Sequence, residues 1–246
     1  MTRTNIEPDL PGRALVIAAH PDDIEFVVAG TVARWVRAGA RVKYVLATSG
    51  DAGTHQAGVT RADVARVREQ EQRAAARVVG VTEVVFMGYP DGEVQPTLAL
   101  RRDIVREIRR FKPDTVICFD PTRLFVDGQY INHPDHRATG QAALDAISPT
   151  AAMPLSFAGQ LRDEGLEPHR VRQVLVASTA TPDTWVDIGE TLEIKVRALL
   201  QHASQMDPRR DYQGLVRRWA VDQGAQVGLA YAESFLRIVR PQHRMD

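Results

Sequence analysis

Only one cysteine, Cys118, occurs in the 246 residues. That excludes a disulfide framework and points to a chain held together by its core in a reducing compartment, the cytoplasm. No stretch approaches the ~20 consecutive apolar residues of a membrane span, and residues 1–9 lack the apolar segment of a secretory signal. Neither sign of charge is in excess, with 31 Lys plus Arg against 31 Asp plus Glu. That balance argues against nucleic acid or anionic membrane as a partner. Internal repeats and low-complexity tracts are absent. So is the Gly-x-Gly-x-x-Gly turn that a dinucleotide-dependent oxidoreductase carries after its first strand. With 44% hydrophobic and 25% charged residues, the chain has the composition of a globular protein with a sizeable core.

Within that composition two periods alternate. Apolar runs predict strands at 14–19, 42–47, 83–87 and 115–119, and helical spacing predicts helices at 26–38, 61–79, 97–111 and 136–147. In the second helix Val64, Val67, Ala74, Ala75 and Val78 fall at helical intervals, and Gly80 ends the run as a C-cap. Such alternation predicts an α/β fold: a Rossmann-like, mostly parallel sheet with helices on both faces.

After residue 148 the pattern changes. Pro149, Pro154, Gly159, Gly165 and Pro168 interrupt 148–172, which reads as a long connection or lid forming one wall of a pocket. A strand at 173–178, helices at 189–203 and 211–222 and a strand near 234–239 make a smaller C-terminal elaboration. The expectation is one domain over 1–246, with a core at 1–150 and an elaboration at 151–246 that contributes to the pocket. Cys118 reads as a small buried hydrophobe, and Trp35, Trp185 and Trp219 as core or interface packing.

The polar chemistry gathers at strand ends. His20-Pro21-Asp22-Asp23 follows the first strand, Thr48-Ser49-Gly50-Asp51-Ala52-Gly53 the second, and Asp120 through Asn132-His133-Pro134-Asp135-His136 the fourth. In a parallel sheet these ends share one edge, where ligands of open α/β sheets bind. Imidazoles and carboxylates suit a divalent cation rather than a phosphate. A hydrolytic site needs neutral imidazoles and a carboxylate as ligands, a position open for water, and separate groups for proton transfer. His20, Asp22, Asp23, His133 and His136 supply three ligands and two proton-handling groups, without spacing alone deciding which is which. Pro134 at a helix start turns His133 away from His136, so that one can ligate while the other reaches substrate, and Asp135 can fix an imidazole tautomer. Two histidines with one carboxylate also match the facial triad of non-haem iron oxygenases; the additional Asp and His favour hydrolysis. As isolated motifs, each pair would serve equally as a turn or a cap for the helix near Phe26.

Ala19-His20-Pro21-Asp22-Asp23-Ile24-Glu25 with Ala29-Gly30-Thr31, and His133-Pro134-Asp135-His136, resemble the PIG-L/LmbE family of zinc-dependent N-deacetylases. The likeness extends through Arg68-Glu69-Gln70-Glu71, Gly88-Tyr89-Pro90-Asp91-Gly92, His202-Ala203-Ser204-Gln205 and Ala232-Glu233-Ser234-Phe235, over about residues 14–239. Ala29 stands where the family often has glycine. The resemblance implies that His20, Asp23 and His136 bind Zn2+, with Fe2+ as another candidate, and that Asp22 is the general base. It implies that His133, as imidazolium partnered by Asp135, stabilises the oxyanion and protonates the leaving amine. Arg68 and Asp91 would contact the sugar. The implied substrate is a small N-acetylglucosamine-type amino sugar or its glycoside, and the implied assembly a homo-oligomer. Alternatives are an amidase of the same family acting on a larger N-acyl glycoside and a non-catalytic sugar-binding module. From the residues alone, Arg68 also reads as a solvated helix position, Asp91 as a turn residue, and His202 as a structural hydrogen-bonding group. His55 is placed near the site edge, and His169 and His243 at the surface.

Overall fold

A computed structural model describes residues 8–240 except 127 and 129; residues 1–7 and His243 lie outside the described part. In chain order its elements are β1 (Arg13–Ala18), α1 (Asp23–Val27), α2 (Ala29–Arg37), β2 (Arg41–Thr48), α3 (Arg61–Val79), β3 (Glu83–Tyr89), α4 (Leu98–Phe111) and β4 (Thr115–Phe119). There follow a hairpin of β5 (Phe125–Val126) and β6 (Tyr130–Ile131), then α5 (Pro134–Ile147), α6 (Ala158–Glu164), β7 (Gln173–Ala177) and β8 (Thr184–Asp187). The chain closes with α7 (Leu192–Leu199), α8 (Tyr212–Ala225) and β9 (Ala232–Val239).

Seven strands form one sheet in the order β3-β2-β1-β4-β7-β9-β8. The fold is the expected mostly parallel α/β sheet; β9 alone runs antiparallel, between β7 and β8. Residues of β1 alternate between two buried layers, which is why its sequence is apolar throughout. Ala14, Val16 and Ala18 pack with α2, α3 and α7, whereas Leu15 and Ile17 pack with α4 and α5. The order reverses at β1, whose neighbours β2 and β4 lead away in opposite directions. That switch point is where an α/β sheet opens a crevice at its carboxyl edge.

Local chemistry sets the helix ends. Thr60 and Asp63 form a reciprocal capping box that starts α3, worth about 1 kcal/mol. Gly80 ends it in the left-handed conformation. The single helix expected at 26–38 is two, broken at Val28 (φ −130, ψ 2), and the first begins three residues early, at Asp23. Glu233 of β9 explains the new start at Ala29. Its carboxylate accepts the N–H groups of Gly30 and Thr31 at 3.0 and 2.7 Å and pairs with buried Lys195.

The stretch 148–172, expected as a connection or lid, packs along α4 and near the start of β4. Helix α5 carries the chain from the carboxyl edge to the opposite, amino edge of the sheet, and the stretch stays there and along α4. Arg109, fully buried near the end of α4, donates to the carbonyls of Thr150, Ala151, Met153 and Ser156 and to Gln160. His169, rather than lying free at the surface, donates from Nε2 to Pro113 O at 2.6 Å, just before β4. Trp35 and Trp185 are buried, while Trp219 is half-exposed against Phe26.

Candidate metal centre and active site

Beyond β1 the chain leaves the sheet through Ala19-His20-Pro21. Thr48, at the end of β2, fastens this turn by donating its main-chain N–H and its hydroxyl to Ala19 O, at 2.9 and 3.0 Å. On the other side, α5 approaches β4 so closely that a Cβ on Gly140 would lie 2.3 Å from Phe119 O. Only glycine allows that approach, and it brings the start of α5 to the end of β1. His20 and His136, 116 residues apart in sequence, thereby meet.

The first cluster is His20, Asp23 and His136. His20 Nδ1 lies 3.2 Å from His136 Nε2 and 3.6 Å from Asp23 Oδ2, and His136 Nε2 lies 3.0 Å from Asp23 Oδ1. Ligands at about 2.0–2.1 Å from a tetrahedral cation are separated by about 3.3 Å, so the two imidazoles and the Asp23 carboxylate are spaced for one zinc-sized ion. The opposite nitrogens are already engaged. His20 Nε2 lies 3.0 Å from Asp91 Oδ1 and 3.2 Å from Asp135 Oδ2, and His136 Nδ1 lies 3.2 Å from Asn132 Oδ1. Those acceptors fix the tautomers that turn the inner lone pairs toward a metal. Asp23 Oδ2 also accepts the N–H groups of Ala19 and His20, at 3.1 and 2.8 Å. Burial works against its charge, but His136 and His20 outweigh it and hold the carboxyl well below the usual range. Burial likewise lowers the proton affinity of His20, yet hydrogen bonds to the carboxylates of Asp135, Asp23 and Asp91 raise it well above the ordinary imidazole value.

Asp22 belongs to a different environment, although it is the next residue. Its backbone has φ 88 and ψ −29, a conformation that costs a non-glycine residue about 1–3 kcal/mol. The consequence is that adjacent carboxylates part: Asp23 faces His136, and Asp22 Oδ2 faces Arg68 Nη2 at 3.1 Å. Burial pushes the Asp22 carboxyl up to about 6, against the opposing pull of Arg68 and with a contribution from Asp23. A carboxylate titrating there is suited to taking a proton near neutrality.

His133 is the N-cap of α5, and its Nδ1 accepts the Asp135 N–H at 3.2 Å. An Nδ1 that accepts leaves the ring proton on Nε2. Burial, with His20 nearby, lowers the His133 pKa. In this geometry Nε2 is the ring atom left to donate. The Asp135 carboxylate serves His20 and the N–H groups of Gly92 and Val94, at 2.7 and 3.2 Å. Its hydrogen bond to His133 comes from its main chain instead. A second cluster, His20, His133 and Asp135, has ligand atoms within 4.8 Å of one another but shares His20 with the first.

Comparison with known proteins places the chain in a family. The family model described as PIG-L: GlcNAc-PI de-N-acetylase matches residues 15–147. The chain belongs to the PIG-L family. Its relatives include the diacetylchitobiose deacetylase of Thermococcus kodakarensis, 32% identical and covering 90% of this chain and 81% of the relative. A probable N-acetyl-alpha-D-glucosaminyl L-malate deacetylase 2 of Bacillus anthracis is 30% identical over 78% of this chain and 80% of its own. The structure of N,N'-diacetylchitobiose deacetylase from Pyrococcus horikoshii, complexed with its inhibitor MPG, superposes with a TM-score of 0.86. It has 29% identity and covers 93% of this chain and 84% of that one.

In this PIG-L domain the two residues expected at the sugar are largely buried and hydrogen-bonded to the elements around the site. Arg68 is 4% exposed and donates to Gly50 O and Pro21 O, at 2.9 and 2.7 Å, as well as to Asp22. Gly50, at φ 63, makes this possible, since a Cβ there would lie 2.1 Å from Arg68 Nη1. Asp91 is 8% exposed, and its Oδ2 accepts the Ala52 N–H at 3.1 Å while its Oδ1 serves His20. His55 is exposed on the loop beyond Gly53. Asn132, Glu25 and Gln72 were not singled out by sequence reading. The signal for Asn132 was its place next to His133-Pro134-Asp135-His136; Glu25 and Gln72 carry no signal before the helices are packed.

Proposed function

We propose that this chain is a metal-dependent N-deacetylase, with Zn2+ as the ion, that removes an acetyl group from an N-acetylglucosamine-type amino sugar or its glycoside. The observation that carries the reading is the divergence of Asp22 from Asp23: one carboxylate joins the two imidazoles, and its neighbour turns aside to pair with Arg68. His20, Asp23 and His136 would hold the cation. When bound, it supplies Lewis acidity that makes water a better nucleophile near pH 7 and polarises the acyl oxygen.

Asp22 accepts the proton of the attacking water on the oxygen that Arg68 does not bind. Arg68 keeps the carboxylate from swinging toward the histidines. His133 donates from Nε2 to the tetrahedral oxyanion, a contribution of the oxyanion-hole type. Asp22 then passes its proton to the leaving nitrogen, so that acetate and a free amine result. Asp91 and Asp135 hold the His20 ring through Nε2, and Asn132 holds the His136 ring.

An amine-release assay of the zinc-loaded protein on N-acetylglucosamine, N,N'-diacetylchitobiose and N-acetylglucosaminyl malate tests the reading. Release of one amine per acetate from at least one of them is expected. No release from any, with one metal bound per chain, would overturn it.

A further inference from the structure

Behind the His20-Pro21-Asp22-Asp23 turn runs a line of buried polar groups that the chemistry above leaves without a role. Glu25, Gln72 and His202 are each 0% exposed. They come from α1, from α3 and from the turn after α7. His202 Nε2 lies 3.2 Å from Glu25 Oε2, Gln72 Nε2 donates to Glu25 Oε1 at 2.9 Å, and Gln72 Oε1 accepts the Asp22 N–H at 3.0 Å.

The line has a direction. A carboxylate only accepts, so Glu25 draws the NH2 end of the Gln72 amide and the ring N–H of His202. With its NH2 so engaged, Gln72 can present only oxygen to Asp22. The opposite amide orientation would set two donors against each other there and two acceptors at Glu25. Gln72 also stands one helical turn beyond Arg68 on α3, so the two share a face. Arg68 grips the Asp22 carboxylate and the Pro21 carbonyl, while Gln72 grips the Asp22 main chain. The residue caught between them is the one with the positive φ.

We propose that Gln72, oriented by Glu25 and His202, is a positioning residue that holds Asp22 in its left-handed conformation and thereby keeps its carboxylate beside, rather than among, the metal ligands. The role rests on the reading of Asp22 as the base. Gln72 touches neither substrate nor metal; it acts through the backbone of its neighbour.

The test is Gln72→Met, which keeps side-chain length but removes the acceptor. Displacement of a reacting group by about 1 Å costs up to about 10²-fold in rate, so kcat should fall between about 10- and 10²-fold. KM and calorimetric zinc affinity should stay within about twofold, because neither depends on Asp22. A crystal structure of the variant should show Asp22 at negative φ. The double exchange Glu25→Gln with Gln72→Glu retains an acceptor for the Asp22 N–H and a donor between the two positions. It should restore positive φ and kcat to within about threefold of the wild type. Positive φ with unchanged kcat in Gln72→Met, or failure of the double exchange to restore either, would overturn the proposal. If the wild type hydrolyses no amide, the functional reading falls, and the φ of Asp22 in the two variants still decides whether Gln72 positions it.

Discussion

The inner ring nitrogens of His20 and His136 face each other at 3.2 Å while both outer nitrogens already point at oxygen acceptors. Two neutral rings so fixed would direct lone pairs at one another; without metal a proton on His20, whose proton affinity is raised, takes that place, and a bound ion adds its own binding energy. Removing metal should therefore destabilise the protein. At a zinc concentration 1,000 times Kd the ion adds about 4 kcal/mol. Thermal melting before and after chelation measures this; equal melting temperatures would mean that no structural ion resides there.

The two adjacent aspartates should separate cleanly on substitution. Asp22→Asn is expected to lower kcat by about 10²–10⁴-fold with one metal retained per chain. Asp23→Asn should instead lose the metal, as it deprives both imidazoles of their charged companion. Metal analysis together with turnover distinguishes them, and the reverse pattern would exchange the two assignments.

Asn132 fixes the ring of His136 without touching the ion. Asn132→Leu leaves Nδ1–H without its acceptor and frees the ring to rotate. Zinc affinity measured by competition with a chromophoric chelator should weaken by about 10–100-fold, as for other partners of ligating histidines.

Gly50→Ala combines a strained φ with a collision against Arg68. It should cost more than about 1 kcal/mol in denaturant unfolding and should lower kcat, because the displaced guanidinium releases Asp22. A stable variant with full turnover would show that the Arg68 grip is dispensable.

The His202–Glu25 pair predicts a pH-dependent term in stability. Burial lowers the proton affinity of His202, but the hydrogen bond and charge of Glu25, with Asp22 and Glu71, raise it above its ordinary value. A group raised on folding stabilises fully below its unfolded pKa, about 6.5, and loses that contribution as pH climbs through the folded value. The melting-temperature gap between wild type and His202→Gln should thus be widest at pH 6 and narrow in alkaline buffer. A gap independent of pH would show that His202 is neutral when folded.

What could be read from the residues divides along physical lines. Continuous apolar runs with helical spacing between them identified the first four strands and the parallel sheet, because burial on both faces leaves no other pattern. The two His-Pro-Asp clusters announced the site because polar groups at successive strand ends converge on one edge. The break at Val28 escaped notice, since it depends on Glu233 arriving from the last strand to cap α2. Prolines and glycines in 148–172 suggested a lid, but they do not say which edge of the sheet a segment occupies; the buried guanidinium of Arg109 does. The partners of Arg68 and Asp91 were not legible, because their hydrogen bonds to Pro21, Gly50 and Ala52 and the pairing with His20 come from packing α3 and the 90–92 turn against the strand ends.

The placement of β9 sets an order of assembly. Among the described residues strand β8 has a hydrogen-bonded neighbour only in β9, and β9 is the last element described. As the chain emerges from the ribosome, β1 to β4 can pair at once, whereas β8 waits with both edges bare. The cap on α2 is missing over the same interval. The amino-terminal half can collapse early, yet the helix that follows the His20–Asp23 turn gains its cap only when residues 232–239 slot between β7 and β8.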